Sequence, residues 1–99
     1  VKALGLTLSA MTPQLRKRFK LTKSAKGVVV LKVDKNSPAA EKGIRVGDLI
    51  DEVNQEEVLT PAHIERELKK VLESGRKVVL VRVEGQGGGR FLGLRIGKG

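Results

Sequence analysis

Few residues in this chain could do covalent chemistry. His63 is the only imidazole, and there is no cysteine. Cysteine nucleophiles, disulfides and thiolate metal sites are therefore excluded. The serines, Ser9, Ser24, Ser37 and Ser74, fall in strand, loop and cap contexts, and none has glycines on both sides. A serine nucleophile needs a base and an orienting acid brought to it, and a single histidine offers little choice of base. Catalytic residues are therefore expected to be none. Metal ligation by one histidine and scattered acids is expected to be weak, so metal and cofactors are also expected to be none. Glu56-Glu57 reads as a solvated pair in an exposed turn. Gly85-Gln86-Gly87-Gly88-Gly89 leads into a strand, not a helix, and lacks the Gly-Lys-Ser/Thr ending of a phosphate loop.

What remains is binding. Ala3–Ser9 alternates apolar with small or polar residues between Leu4 and Leu8, which is strand patterning. Gly5 interrupts it, where a bare backbone can approach a ligand closely. Thr60-Pro61 opens the longest helix, with Thr60 as N-cap, and Gly75 stops it after Ser74. Its apolar stripe is read as Ile64, Leu68, Val71 and Leu72. Thr12-Pro13 opens a shorter helix with Leu15 and Phe19 on one face and Met11 as a staple. There Arg16, Lys17, Arg18 and Lys20 are expected to point outward. They read either as a solvated face or as a surface for an acidic partner or a neighbouring subunit.

Composition sets the frame. Ninety-nine residues suffice for one domain with one modest core. Apolar residues are 39% of the chain and the only aromatics are Phe19 and Phe91, so the core must be Val, Leu and Ile. The net charge of +9 suits a lysine-rich solvated surface or an anionic partner. Nucleic acid is disfavoured, because no aromatics lie between the charges to stack bases. No apolar run is long enough to span a membrane, and the opening residues are not expected to be a signal peptide. The start at Val1, within structured-looking sequence, reads as a domain excised from a larger protein. Residues 1–99 are expected to be a single domain with 97–99 a frayed tail.

The most informative stretch is Ser37–Asn54. Ser37 caps, Pro38 starts and Gly43 stops a helix of about one turn. Ile44 and Val46 are expected to return to the core. Gly47-Asp48 turns, Leu49–Val53 is a strand, and Asn54 ends it. Val28–Val33 before it reads as a central strand buried on both faces. After it come Gln55–Glu57 as a polar turn, Val58-Leu59 as a short strand, and two further strands, Lys77–Glu84 and Arg90–Ile96, joined by the glycine run as a flexible hairpin.

Ser37-Pro38-Ala39, Gly43-Ile44, Gly47-Asp48-Leu49-Ile50 and Val53-Asn54 together resemble the PDZ-domain signature. Leu6–Arg16 and Gly75–Leu80 make the chain most similar to the C-terminal PDZ domain of bacterial HtrA/Deg (protease Do) periplasmic serine proteases. The resemblance implies an α+β fold: a five- to six-stranded, mostly antiparallel partial barrel capped by one long and one or two short helices. It also implies that Leu4-Gly5-Leu6 is a carboxylate-binding loop, whose successive N–H groups form an anion nest. On this reading the peptide site is Leu4, Gly5, Leu6, Thr7 and Leu8 on the strand side and Ile64, Leu68 and Val71 on the helix. An extended or C-terminal apolar segment would add as a strand. Leu6→Glu is expected to abolish such binding and leave the fold intact. Many PDZ domains read a ligand hydroxyl with a histidine near His63, but Ile64 competes for that place, and His63 reads as an exposed residue without a role. Where the family often has Gly after the Asn, this chain has Gln55, so a different turn type is expected.

The implied function is a non-catalytic peptide-binding module of a periplasmic serine endopeptidase. Its partners would be peptides or unfolded-protein segments. The alternative is an inter-subunit assembly domain, docking on other PDZ or protease domains of the oligomer through Arg16, Lys17, Arg18 and Lys20.

Overall fold

The computed structural model describes residues 4–85 and 87–96. Six strands and three helices follow one another as β1 (Leu6–Ala10), α1 (Pro13–Arg18), β2 (Val28–Val33), α2 (Pro38–Glu41), β3 (Leu49–Val53), β4 (Glu56–Glu57), α3 (Pro61–Glu73), β5 (Val78–Gly85) and β6 (Gly88–Arg95). They form one open antiparallel sheet in the order β1-β2-β3-β5-β6, with β4 attached to β3. β1 therefore stands at one end of the order, the position from which a strand can be added.

Local chemistry accounts for most of these elements. Each helix is preceded by a hydroxyl cap and begins with proline: Thr12, Ser37 and Thr60 each accept a hydrogen bond from a backbone N–H three residues on. In β2, Val28, Val29 and Val30 are fully buried, whereas Lys32 is exposed and Leu31 and Val33 are half-buried. Only the first half of that strand is thus covered on both faces. The same half pairs with β3, at Val28↔Ile50 and Val29↔Leu49.

Several boundaries differ from the sequence expectation. Gly85, Gly88 and Gly89 of the glycine run belong to strands. β5 and β6 pair continuously from Val78↔Arg95 to Gly85↔Gly88, so only Gln86 and Gly87 lie between them. Val58-Leu59 is not a strand. The pairing with β3 comes one turn earlier, at Glu52↔Glu57 and Val53↔Glu56, and leaves Val58 fully buried and Leu59 exposed. The intervening Asn54 and Gln55 both have positive φ, +54° and +67°, as a two-residue I′ hairpin turn requires. Ile44 returns to the core as expected, but Val46 is exposed.

Candidate functional site

The expected binding loop is held from behind by the α2 region. The N–H of Ala39 donates to the Leu4 carbonyl at 3.4 Å, and the N–H of Asp34 donates to the Gly5 carbonyl at 2.8 Å. Gly5 sits at φ +72°, and a Cβ there would lie 2.2 Å from the Cβ of Ser37. No side chain fits between these segments. On that side Ser37 alone requires position 5 to carry no side chain. Ser37 in turn is buried, and its hydroxyl donates to the Asp34 carbonyl at 2.7 Å while accepting from the Ala40 N–H at 3.1 Å. The segment that carries the family signature is thus the mount of the Leu4–Leu6 loop.

Across from β1 lies α3. Thr60 caps it through His63 N–H at 3.1 Å. Its buried face is Ile64, Glu67, Leu68 and Val71. Leu72, placed on the stripe from the sequence, is 46% exposed. The helix is rotated so that Glu67, not Leu72, faces inward.

The residues expected to bind peptide are brought together, but as core. Leu4 and Ile64 are fully buried, and Val71, Leu68 and Leu6 are 1%, 3% and 4% exposed in one continuous cluster. Leu8 is half-buried against that cluster, and Thr7 is exposed. With only two aromatics in the chain, the volume of the core must come from aliphatic side chains, and those of the groove walls are used for it. Leu6→Glu would therefore bury a carboxylate in the core and cost the fold, contrary to the sequence expectation. β1 carries a register shift between Thr7 and Leu8, which breaks the simple alternation of faces.

The basic stretch divides in two. Lys17, Arg18 and Lys20 are exposed, and Arg18 lies over the ring of Phe19, 5.2 Å from its centre. Arg16 is not an outward charge. It is half-buried and donates to the carbonyls of Thr22 and, at 3.1 Å, Ala25, closing the loop after α1.

Two charged clusters escape sequence reading. The first joins Asp51, Arg82 and Glu84. Arg82 bonds Asp51 and lies 3.0 Å from Glu84. Burial pushes the Asp51 carboxyl above its ordinary value, with Arg82 opposing the shift, and Asp51 raises Arg82 further above its own. Asp51 and Glu84 border a cavity of about 350 Å³ whose lining includes Thr22, Lys26 and Glu57. The second joins Glu56, His63 and Glu67. Glu67 is 4% exposed, accepts from Lys70 Nζ at 3.1 Å, and lies 3.8 Å from His63 Nε2. The hydrogen bond from Lys70 holds its carboxyl below the ordinary value against the effect of burial. The available signal was its spacing, three after Ile64 and four before Val71. His63 itself is only 30% exposed. Ser37 and Ser74 use their hydroxyls on backbone carbonyls, and neither bond involves His63.

The sheet order, the short capped helices and the α2-mounted loop are those of a PDZ domain. The sequence matches the PDZ domain family over residues 29–84, and the chain belongs to that family. Among curated proteins it is similar to the probable periplasmic serine endoprotease DegP-like of Brucella suis, 41% identical over 76% of this chain, and to that of Bartonella henselae, 42% identical over 73%. The chain spans 15% and 14% of those two proteins. Among solved structures it resembles the HtrA-type protease AlgW with decapeptide. That likeness has a TM-score of 0.75 and 27% identity, and covers 95% of this chain and 28% of the other. It also resembles the HtrA3 PDZ domain bound to a phage-derived ligand, FGRWV, with a TM-score of 0.65 and 25% identity over 94% of this chain and 80% of the other. No helix among the described residues is long and apolar enough to cross a membrane.

Proposed function

We propose that this chain is a non-catalytic peptide-binding domain of a periplasmic HtrA-type serine endopeptidase. An extended segment with an apolar end adds antiparallel along β1, with α3 as the opposite wall. The observation that carries this reading is the placement of β1 at the end of the strand order, with Leu8 half-buried and Thr7 exposed beside α3. The decapeptide of the AlgW structure and the pentapeptide of the HtrA3 structure support it. So does the protease name of the curated relatives, which also supports a periplasmic parent. On this reading residues 1–99 are one domain of a longer chain, and Leu4-Gly5-Leu6 receives the ligand's terminal carboxylate.

The burial of Leu6, Ile64 and Leu68 adds a condition. An end residue enters only if β1 and α3 part, so the observed affinity is reduced by the fraction of molecules that are open. A short strand with one anchor then binds on the order of micromolar or weaker, about −8 kcal/mol at best. The test is calorimetric titration with a pentapeptide ending in valine, free or amidated. The free acid is expected to bind and the amide to bind at least about tenfold more weakly, a difference of about 1.4 kcal/mol. Leu8→Glu, at a half-buried site that tolerates charge better than Leu6, is expected to remove binding while the circular dichroism stays native. Absence of binding at millimolar peptide, or equal affinity for acid and amide, would refute this mode.

A second reading, assembly, is favoured by the closed walls together with the exposed Lys17, Arg18 and Lys20. It places the contact on α1 and predicts that reversal of Lys17 and Arg18 to Glu shifts sedimentation of the full protease without touching peptide affinity.

A further inference from the structure

Glu56 on β4 and His63 and Glu67 on α3 each offer one ligand atom, and the three atoms lie within 4.8 Å of one another. His63 and Glu67 are four apart, one helical turn, and so share a face. Glu56 reaches the same spot from a different element. The supports are ordered: the Thr60 cap holds the N–H of His63 at 3.1 Å, and Glu56 is paired with Val53 across the hairpin.

The electrostatics of this corner are unusual for so basic a chain. Glu67 is 4% exposed, and a carboxylate so far from water requires compensation. Lys70 gives some, from a side chain that is 61% exposed. His63 Nε2, at 3.8 Å, is near enough to share a ligand with Glu67 but too far for a hydrogen bond. Glu56 brings a second carboxylate to the spot.

We propose that Glu56, His63 and Glu67 form a Zn²⁺ site with three protein ligands and a fourth position open to solvent. One imidazole and two carboxylates suit Zn²⁺, whereas Mg²⁺ and Ca²⁺ require a larger set made of oxygens. Exposure of Glu56 and partial exposure of His63 leave an entry path. Lys70 leaves as the ion arrives. The bound ion cross-links β4 to the first two turns of α3, and this assignment does not depend on what the groove binds.

The test is titration of the 99-residue chain with Zn²⁺ by calorimetry, and with Co²⁺ by visible absorption. One ion per chain is expected, with Mg²⁺ inactive at equal concentration and Zn²⁺ raising the melting temperature. His63→Ala and Glu67→Gln are each expected to weaken binding by about tenfold or more, because even residues behind the ligands cost 10–100-fold. His63→Ala keeps the fold measurable, since alanine is the best helix former and the position is partly exposed. Lys70→Met is expected to tighten binding several-fold by removing the competing cation. No stoichiometric Zn²⁺ binding at millimolar ion, an affinity indifferent to His63→Ala, or weakening by Lys70→Met would each overturn the assignment.

Discussion

Gly5 and Ser37 show how a glycine can have a steric cause that its place in a strand pattern does not reveal. A glycine breaking an apolar strand pattern suggests room for a ligand. In the folded chain the missing Cβ is instead the space taken by Ser37, 2.2 Å from where it would sit. Gly5→Ala is therefore expected to destabilise by about 2–4 kcal/mol, from the left-handed backbone and the clash together. Adding Ser37→Gly removes the clash but also the buried hydroxyl's bond to the Asp34 carbonyl, so the double variant should lose less than the sum of the two single losses. Urea unfolding of the two single variants and the double variant reads this as a coupling. Additive losses would show that the two residues do not meet.

Among the elements, the β3–β4 hairpin and α3 depart furthest from expectation. The turn at Asn54-Gln55 places a glutamine at φ +67°, where type I′ turns favour glycine. Gln55→Gly is expected to raise stability by about 1 kcal/mol, seen as a higher urea midpoint with an unchanged slope. An unchanged midpoint would mean that the turn relaxes around glutamine at no cost. In α3 the period of 3.6 allowed two phases, one burying Leu72 and one burying Glu67. Hydrophobicity favours the first. The second prevails because Glu67 finds Lys70, and because Ile64, Leu68 and Val71 already fill the space below β1. The capped starts of all three helices were legible, since a cap is a contact between residues three apart.

For the whole molecule, the net charge of +9 conceals an uneven distribution. Lys17, Arg18 and Lys20 lie exposed on and just after α1, whereas Asp51, Glu52, Glu56, Glu57 and Glu84 gather on the β3–β4–β5 side. The proposed groove lies between aliphatic walls. Affinity for an apolar-ended peptide should accordingly change by less than about threefold between 50 and 200 mM salt, because only the terminal carboxylate contributes a screened charge. A polyanion bound through α1 would lose orders of magnitude over the same range. Fluorescence anisotropy with a labelled peptide and a labelled single-stranded oligonucleotide distinguishes these cases. A steep fall for the peptide would move the site from the groove to the basic face.

Local patterns determined the frame of this protein. The Ser37 cap, Gly43 stop, Gly47-Asp48 turn and Val28–Val33 run act within a few residues, and they named the PDZ fold. Tertiary structure decided what the frame does with its side chains. Asp51 meets Arg82 thirty-one positions away, Glu56 meets His63 and Glu67 across two elements, and Leu6 closes over the same core as Leu68. Such meetings depend on the rotation of α3 and the register of β1. Both are set by the packing of an aromatic-poor core, which no stretch of the chain specifies alone.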